Sequence, residues 1–173
     1  MRKIIIVLLS YFSLSTQAQT DTVIINAGHG VDNIVVEKSS QKEVRNFKKI
    51  KFIKEKRVGG VCARWKTIKY REINYVNDSV GLKFKFRTLL KRRTNFKLKE
   101  ITISKKGKTV NGFIIGRSTK EEVVKLYGLE TDWQKKDYIV YDDYGISFLF
   151  DNNGVISEIE IFKPAFAMVN ENW

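Results

Sequence analysis

Residues 111–128 read NGFIIGRSTKEEVVKLYG, a stretch suited to starting a helix. Ser118 stands at the cap with Glu121 three residues on, and Val123, Val124, Leu126 and Tyr127 follow. A serine cap accepts a hydrogen bond from the third helical amide while the glutamate there reaches back, so two backbone donors left bare by the helix are satisfied. Gly128 is placed to end the helix, since glycine adopts positive φ at little cost. A weaker copy, DNIVVEKSSQKEVRNFKK, lies seventy-nine residues upstream and sets Ser39 over Ser118.

The likeness continues through two more blocks in the same order. Residues 78–86, DSVGLKFKF, match 142–150, DDYGISFLF, and 98–103, LKEITI, match 156–161, ISEIEI. In the second copy the spacing predicts a strand at Tyr138–Tyr141, a turn at Asp142-Asp143, and a strand to Phe150 in which Ile146, Phe148 and Phe150 share a face. Asp151-Asn152-Asn153-Gly154 reads as a tight turn, and Val155 to Phe162 closes an antiparallel meander with Ile159 and Ile161 inward. One helix over three short strands buries too little surface to stand alone, so two copies are expected to join their sheets. The expectation is an α+β fold: two tandem helix-plus-antiparallel-meander repeats sharing a joined antiparallel sheet, with the helices on one face. The units are residues 31–104 and 110–164, with a linker at 105–109, a connection at 19–30 and a tail at 165–173 that have no place in the repeat.

The second unit, with its apolar lead-in, GRSTKEEVVKLYG helix and meander ending in FDNNGVISEIEIF, resembles the repeat of the β-lactamase-inhibitor-protein fold. The small lipoproteins of the outer-membrane barrel-assembly machinery share that fold. The resemblance covers nearly all of 110–164 and, more loosely, 31–104. It implies an exported binding protein without a catalytic site. The chain departs from both kinds of protein it resembles: no cysteine stands where a lipid would attach, and Cys62, the single cysteine, forms no intramolecular disulfide.

MRKIIIVLLSYFSLSTQAQT at the start has two basic residues, an apolar run from Ile4 to Leu14 and small residues around Ala18. That plan predicts a secretory signal peptide over residues 1–18, because a transmembrane helix needs roughly 20 apolar residues. Export to a periplasm or beyond the cell follows, and it argues against nucleic acid as the partner of a chain whose net charge is +13. The charge is uneven: residues 31–104 carry 21 Lys and Arg against 7 Asp and Glu, whereas residues 110–164 carry 6 against 10.

Along Leu82-Lys83-Phe84-Lys85-Phe86-Arg87, strand alternation sends the apolar residues inward and Lys83, Lys85 and Arg87 outward. With Lys97 and Lys99 on the last strand, Arg92 and Arg93 at the rim, and Trp65 and Tyr70 in a basic insertion spanning Lys49 to Arg71, these residues predict a positive sheet face. A longer loop at Thr88 to Asn95 is also expected. The partner class is an acidic protein or an anionic envelope polymer. The alternative is an inhibitor or immunity-type protein whose loops block an enzyme or toxin, and head-to-tail self-association between the basic and acidic units is a further option. Catalysis, metal and cofactors are not expected. His29 is the single histidine and sits between glycines; no nucleophile elbow, zinc spacing, phosphate loop or separated carboxylate pair is present.

Overall fold

A computed structural model describes residues 22–63, 66–90, 95–128 and 137–164. In chain order these hold β1 (Val23–Asn26), β2 (Gly30–Val31), β3 (Ile34–Val35), α1 (Gln41–Arg45) with a 3₁₀ turn at Phe47–Lys49, β4 (Ile53–Ala63), β5 (Lys66–Asn77), β6 (Leu82–Leu89) and β7 (Lys97–Ile103). Then come β8 (Gly107–Thr109), α2 (Lys120–Tyr127), β9 (Tyr138–Tyr141), β10 (Ile146–Phe150) and β11 (Ile156–Phe162). The fold is α+β and dominated by antiparallel strands. Among the described residues no helix is long and apolar enough to cross a membrane. The expected signal peptide, residues 1–18, and the tail, residues 165–173, lie outside the described residues.

Seven strands form one antiparallel sheet in the order β4-β5-β6-β7-β11-β10-β9. The two meanders meet at β7 and β11, where Ile101 pairs Ile161 and Ile103 pairs Ile159. Alternation decides which side is dry. Tyr75, Phe84, Ile101, Ile161, Ile146 and Tyr141 line up rung by rung across the sheet, and all six are buried. Both helical segments cover that face: Phe47, after α1, meets the Phe84 ring edge-on at 5.7 Å, and Tyr127 of α2 lies 5.8 Å from Phe148. Val44 and Val123 each turn into this core with no exposure.

The two helix starts differ from the expected caps by one residue. Ser40 caps α1 with Glu43, and Thr119 caps α2 with Glu122, each pair exchanging both bonds of a capping box. The reason is that the preceding hydroxyls are engaged elsewhere. Ser39 Oγ accepts from the Val35 amide at 2.9 Å and Ser118 Oγ from the Ile114 amide at 3.2 Å, closing the turn before each helix. The Ser40 amide, first, holds the Glu43 carboxyl below its ordinary pKa. α2 ends at Tyr127 before Gly128, as expected, but Gly128 pairs its φ of 88 with a ψ of 177, outside the left-handed helical region expected of the cap.

The inner strands follow the predicted alternation: Leu82, Phe84 and Phe86 are buried, as are Ile146, Phe148 and Phe150. Both hairpins slip register at the same place, between Lys85 and Phe86 against β7 and between Leu149 and Phe150 against β11. At Gly145, φ 64, a Cβ would stand 2.3 Å from the Phe162 carbonyl oxygen, so the turn after Asp142-Asp143 requires glycine.

Three segments are built differently from expectation. The connection at 19–30 contains β1, which runs parallel to β8 and buries Val23 and Ile25. The linker at 105–109 contains β8 itself, where a Cβ on Gly107 would meet Ile25, Ile103 and Ile115 at 2.9 Å. Each is only three or four residues long and pairs with a partner distant in sequence, so neither shows a period of its own. The basic insertion, Lys49 to Arg71, is mostly a hairpin: β4 pairs β5 over eleven unbroken rungs, Ile53↔Val76 to Ala63↔Lys66. An edge strand in water needs no apolar alternation, and IKEKRVGGVCA has none. Within the loop expected at Thr88 to Asn95, Thr88 and Leu89 belong to β6, and residues 91–94 lie outside the described residues.

Candidate binding surface

The face of the large sheet away from the helices carries Tyr70, Glu72 and Asn74 of β5, Lys83, Lys85 and Arg87 of β6, Glu100 of β7, and Glu158 and Glu160 of β11. Lys83, Lys85 and Arg87 point there as expected, but the face is interleaved in sign. Arg87 pairs with Glu72 at 2.9 Å and Lys85 is in close contact with Glu100. Asn74, fully buried, donates to Glu72 at 3.0 Å. Burial by itself would raise the Glu72 carboxyl; the bonds from Arg87 and Asn74 and the charges of Arg87 and Lys85 outweigh it, and the pKa falls below its ordinary value. Glu158 goes the other way, raised by burial and by Glu160, with Lys83 opposing.

Tyr70 also belongs to this face, with the Arg87 guanidinium 4.9 Å from its ring centre. Lys97 and Lys99 do not extend the row. Both reach Glu37, in the turn before α1, at 3.7 and 2.5 Å. The longer contact leaves Glu37 Oε2 ion-paired without a hydrogen bond. The reason is position: Lys97 stands opposite Arg87 in the ladder, where like charges repel, and Glu37 is anchored beside it by its backbone N–H, which donates to the Leu98 carbonyl oxygen at 2.7 Å. Trp65, Arg92 and Arg93 lie outside the described residues.

Positive charge without acidic partners among the described residues also gathers on the helix side, although Lys54 there lies 5.7 Å from the Tyr75 ring centre. An open groove of about 800 Å³ runs between the 3₁₀ turn, β4 and β5, with Arg45, Lys49, Lys51 and Lys54 in its walls, the half-buried Ile50 and Phe52 giving it apolar surface and the buried Tyr75 beneath it. Among the described residues none of those four cations has an acidic partner within ion-pair distance. The walls are fixed from below. Phe52 packs edge-on against Phe84 at 5.5 Å, Tyr75 donates to the Gln41 side-chain oxygen at 2.9 Å, and Asn77 donates to the Lys51 carbonyl at 2.6 Å. A second hollow shares Lys54 and continues along β4 past Lys56 and Val58 to Arg71 and Phe96.

Local backbone geometry contributes to this arrangement. Lys48 and Lys49 take φ of 45 and 56, a region that costs a side-chain-bearing residue on the order of 1 kcal/mol or more. The left-handed step separates them: Lys48 pairs with Asp32 at 3.0 Å, while Lys49 lines the groove. In the sequence the signal was the run Arg45, Lys48, Lys49, Lys51 and Lys54 with Ile50 and Phe52 between, but its composition did not reveal which cations would find acids.

The groove offers cations, an amide and apolar surface. Among the described residues no group of three or more His, Cys, Asp or Glu is arranged to hold a metal. His29 lies in the turn between β1 and β2, where its amide donates to Asn26 and its carbonyl accepts from Val36. No family model, curated protein or solved structure compared with the chain matches it.

Proposed function

We propose that this protein is an exported, non-catalytic binding module whose basic first lobe recognises an acidic protein or an anionic envelope polymer, in the periplasm or outside the cell. One observation carries the reading: four cations surround a groove with apolar surface and lack acidic partners among the described residues, while Lys85 and Arg87 on the opposite face are ion-paired. Like charges held together without counter-charges repel, and an anionic ligand relieves that repulsion. This reading puts the recognition surface on the groove, with the Lys83 to Arg87 row, where Lys85 and Arg87 are ion-paired, as the second candidate.

The proposal includes an origin by duplication of a helix-plus-meander unit, in the manner of the β-lactamase-inhibitor-protein fold. Recurring contacts support it. The Glu37 amide donates to Leu98 at 2.7 Å and the Gly116 amide to Ile156 at 2.8 Å; Ser104 donates to Gly81 at 2.8 Å and Phe162 to Gly145 at 3.0 Å. These are the pairings that the sequence alignment of the two halves puts in register.

The test is retention on immobilised poly-L-glutamate at low and high salt, beside crosslinked recovery of partners from the cell envelope. The wild type is retained at low salt and released at high salt. The variant Arg45→Glu/Lys49→Glu/Lys51→Glu/Lys54→Glu loses about tenfold or more in affinity, from four exposed charge contacts of roughly 0.5 kcal/mol each. Retention that ignores both salt and the four reversals rejects the reading.

A further inference from the structure

β4 is the exposed edge of the large sheet, and it is long: eleven residues without proline or register slip, against four for β9 at the other edge. An edge of that length presents a row of unpaired amides and carbonyls, which proteins ordinarily protect by shortening, bulging, covering or charging the strand. Among the described residues nothing pairs with β4 on its outer side, and the one protection visible is charge, Lys54, Lys56 and Arg57 against Glu55. That charge is of one sign in excess. It repels a second copy of this edge and attracts an acidic strand.

We propose that the basic lobe takes its partner by strand addition: an extended acidic segment of a protein hydrogen-bonds to β4 and becomes an eighth strand. Pairing across the ladder determines where its side chains go. Lys54 and Lys56 stand opposite the buried Tyr75 and Ile73, on the groove side, whereas Glu55 and Arg57 stand opposite Asn74 and Glu72 on the other face. An added strand has the same period of two, so every second side chain falls beside Lys54 and Lys56 at the mouth of the groove. A segment with carboxylates at alternate positions therefore sets all of them on the cationic side. Val58, 71% exposed on the same side, and Ile53, 69% exposed on the other, offer apolar contact to its neighbours.

This inference rests on the reading of the basic lobe as the recognition element, and the test separates the two. The probes are a short synthetic peptide alternating glutamate and threonine, and two versions N-methylated at every second residue, one on the glutamates and one on the threonines. N-methylation removes the donors along one edge of a strand and leaves the charges intact. Strand addition predicts that one methylated peptide binds the full protein like the parent, while the other binds at least about tenfold more weakly, having lost several main-chain bonds. Lys54→Glu/Lys56→Glu weakens the parent peptide. Equal binding by both methylated versions overturns strand addition and leaves the cationic groove standing. Retention on poly-L-glutamate with no binding of the parent peptide also overturns it. Loss of both sinks the inference together with the functional reading. A dimer in sedimentation that Lys56→Glu strengthens would show that β4 pairs with itself, and likewise overturns the proposal.

Discussion

The ring of Tyr70 lies across Gly59, its partner in the β4–β5 ladder: a Cβ on that glycine would stand 2.6 Å from the ring carbon Cζ. The missing side chain lets Tyr70 lie flat enough for Arg87 to sit 4.9 Å from its centre, and Arg87 in turn reaches Glu72. Gly59→Ala is expected to push the ring aside and uncouple it from Arg87. The cost is about 1 kcal/mol, the size of one exposed cation–π contact plus local strain, and it is read as a lowered denaturation midpoint and changed ring-current shifts on the Arg87 side chain.

Ile25→Ala tests whether the N-terminal segment that carries β1 belongs to the fold. Ile25 is fully buried in β1 and touches the space that Gly107 keeps open. Truncation is expected to cost about 3 kcal/mol, measured by urea unfolding. A loss below about 0.5 kcal/mol, the range of surface substitutions, would mean β1 contributes nothing to the core.

The helix cap separates two readings that differ by one residue. Glu122→Ala removes the carboxylate that accepts from the Thr119 amide at 2.9 Å and is expected to destabilise α2 more than Glu121→Ala. Thr119→Ala, which removes the acceptor for the Glu122 amide, costs about 1 kcal/mol. Thermal midpoints of the three variants decide the cap position.

Two carboxyls on the outer face give opposite pH trends. Glu158 has a raised pKa in the folded state, so its ionised form costs stability at neutral pH and the cost is relieved as pH falls through that raised value. Glu72 has a lowered one; it contributes stability above the ordinary glutamate range, and this is lost as pH falls through its folded value. Urea midpoints followed downward from neutral pH should show Glu158→Gln abolishing a small gain and Glu72→Gln flattening the later loss.

The alternation of Leu82, Phe84 and Phe86, the matching Ile146, Phe148 and Phe150, the turn at Asp151 to Gly154 and the end of α2 at Gly128 were all legible in the chain. Each depends on a period of two, a period of 3.6 or a backbone angle, and such rules act between residues a few positions apart. They establish an α+β protein with antiparallel strands and two helix starts, within one residue. The strands β1 and β8, the edge position of β4 and the fate of the cations depend on which distant segments become neighbours. Glu72 meets Arg87, and Glu37 meets Lys97 and Lys99, only once the ladder has formed. A lysine's charge is written in the sequence, but whether an acid cancels it is decided by tertiary structure, because ion pairing acts over a few ångströms in space whatever the separation along the chain.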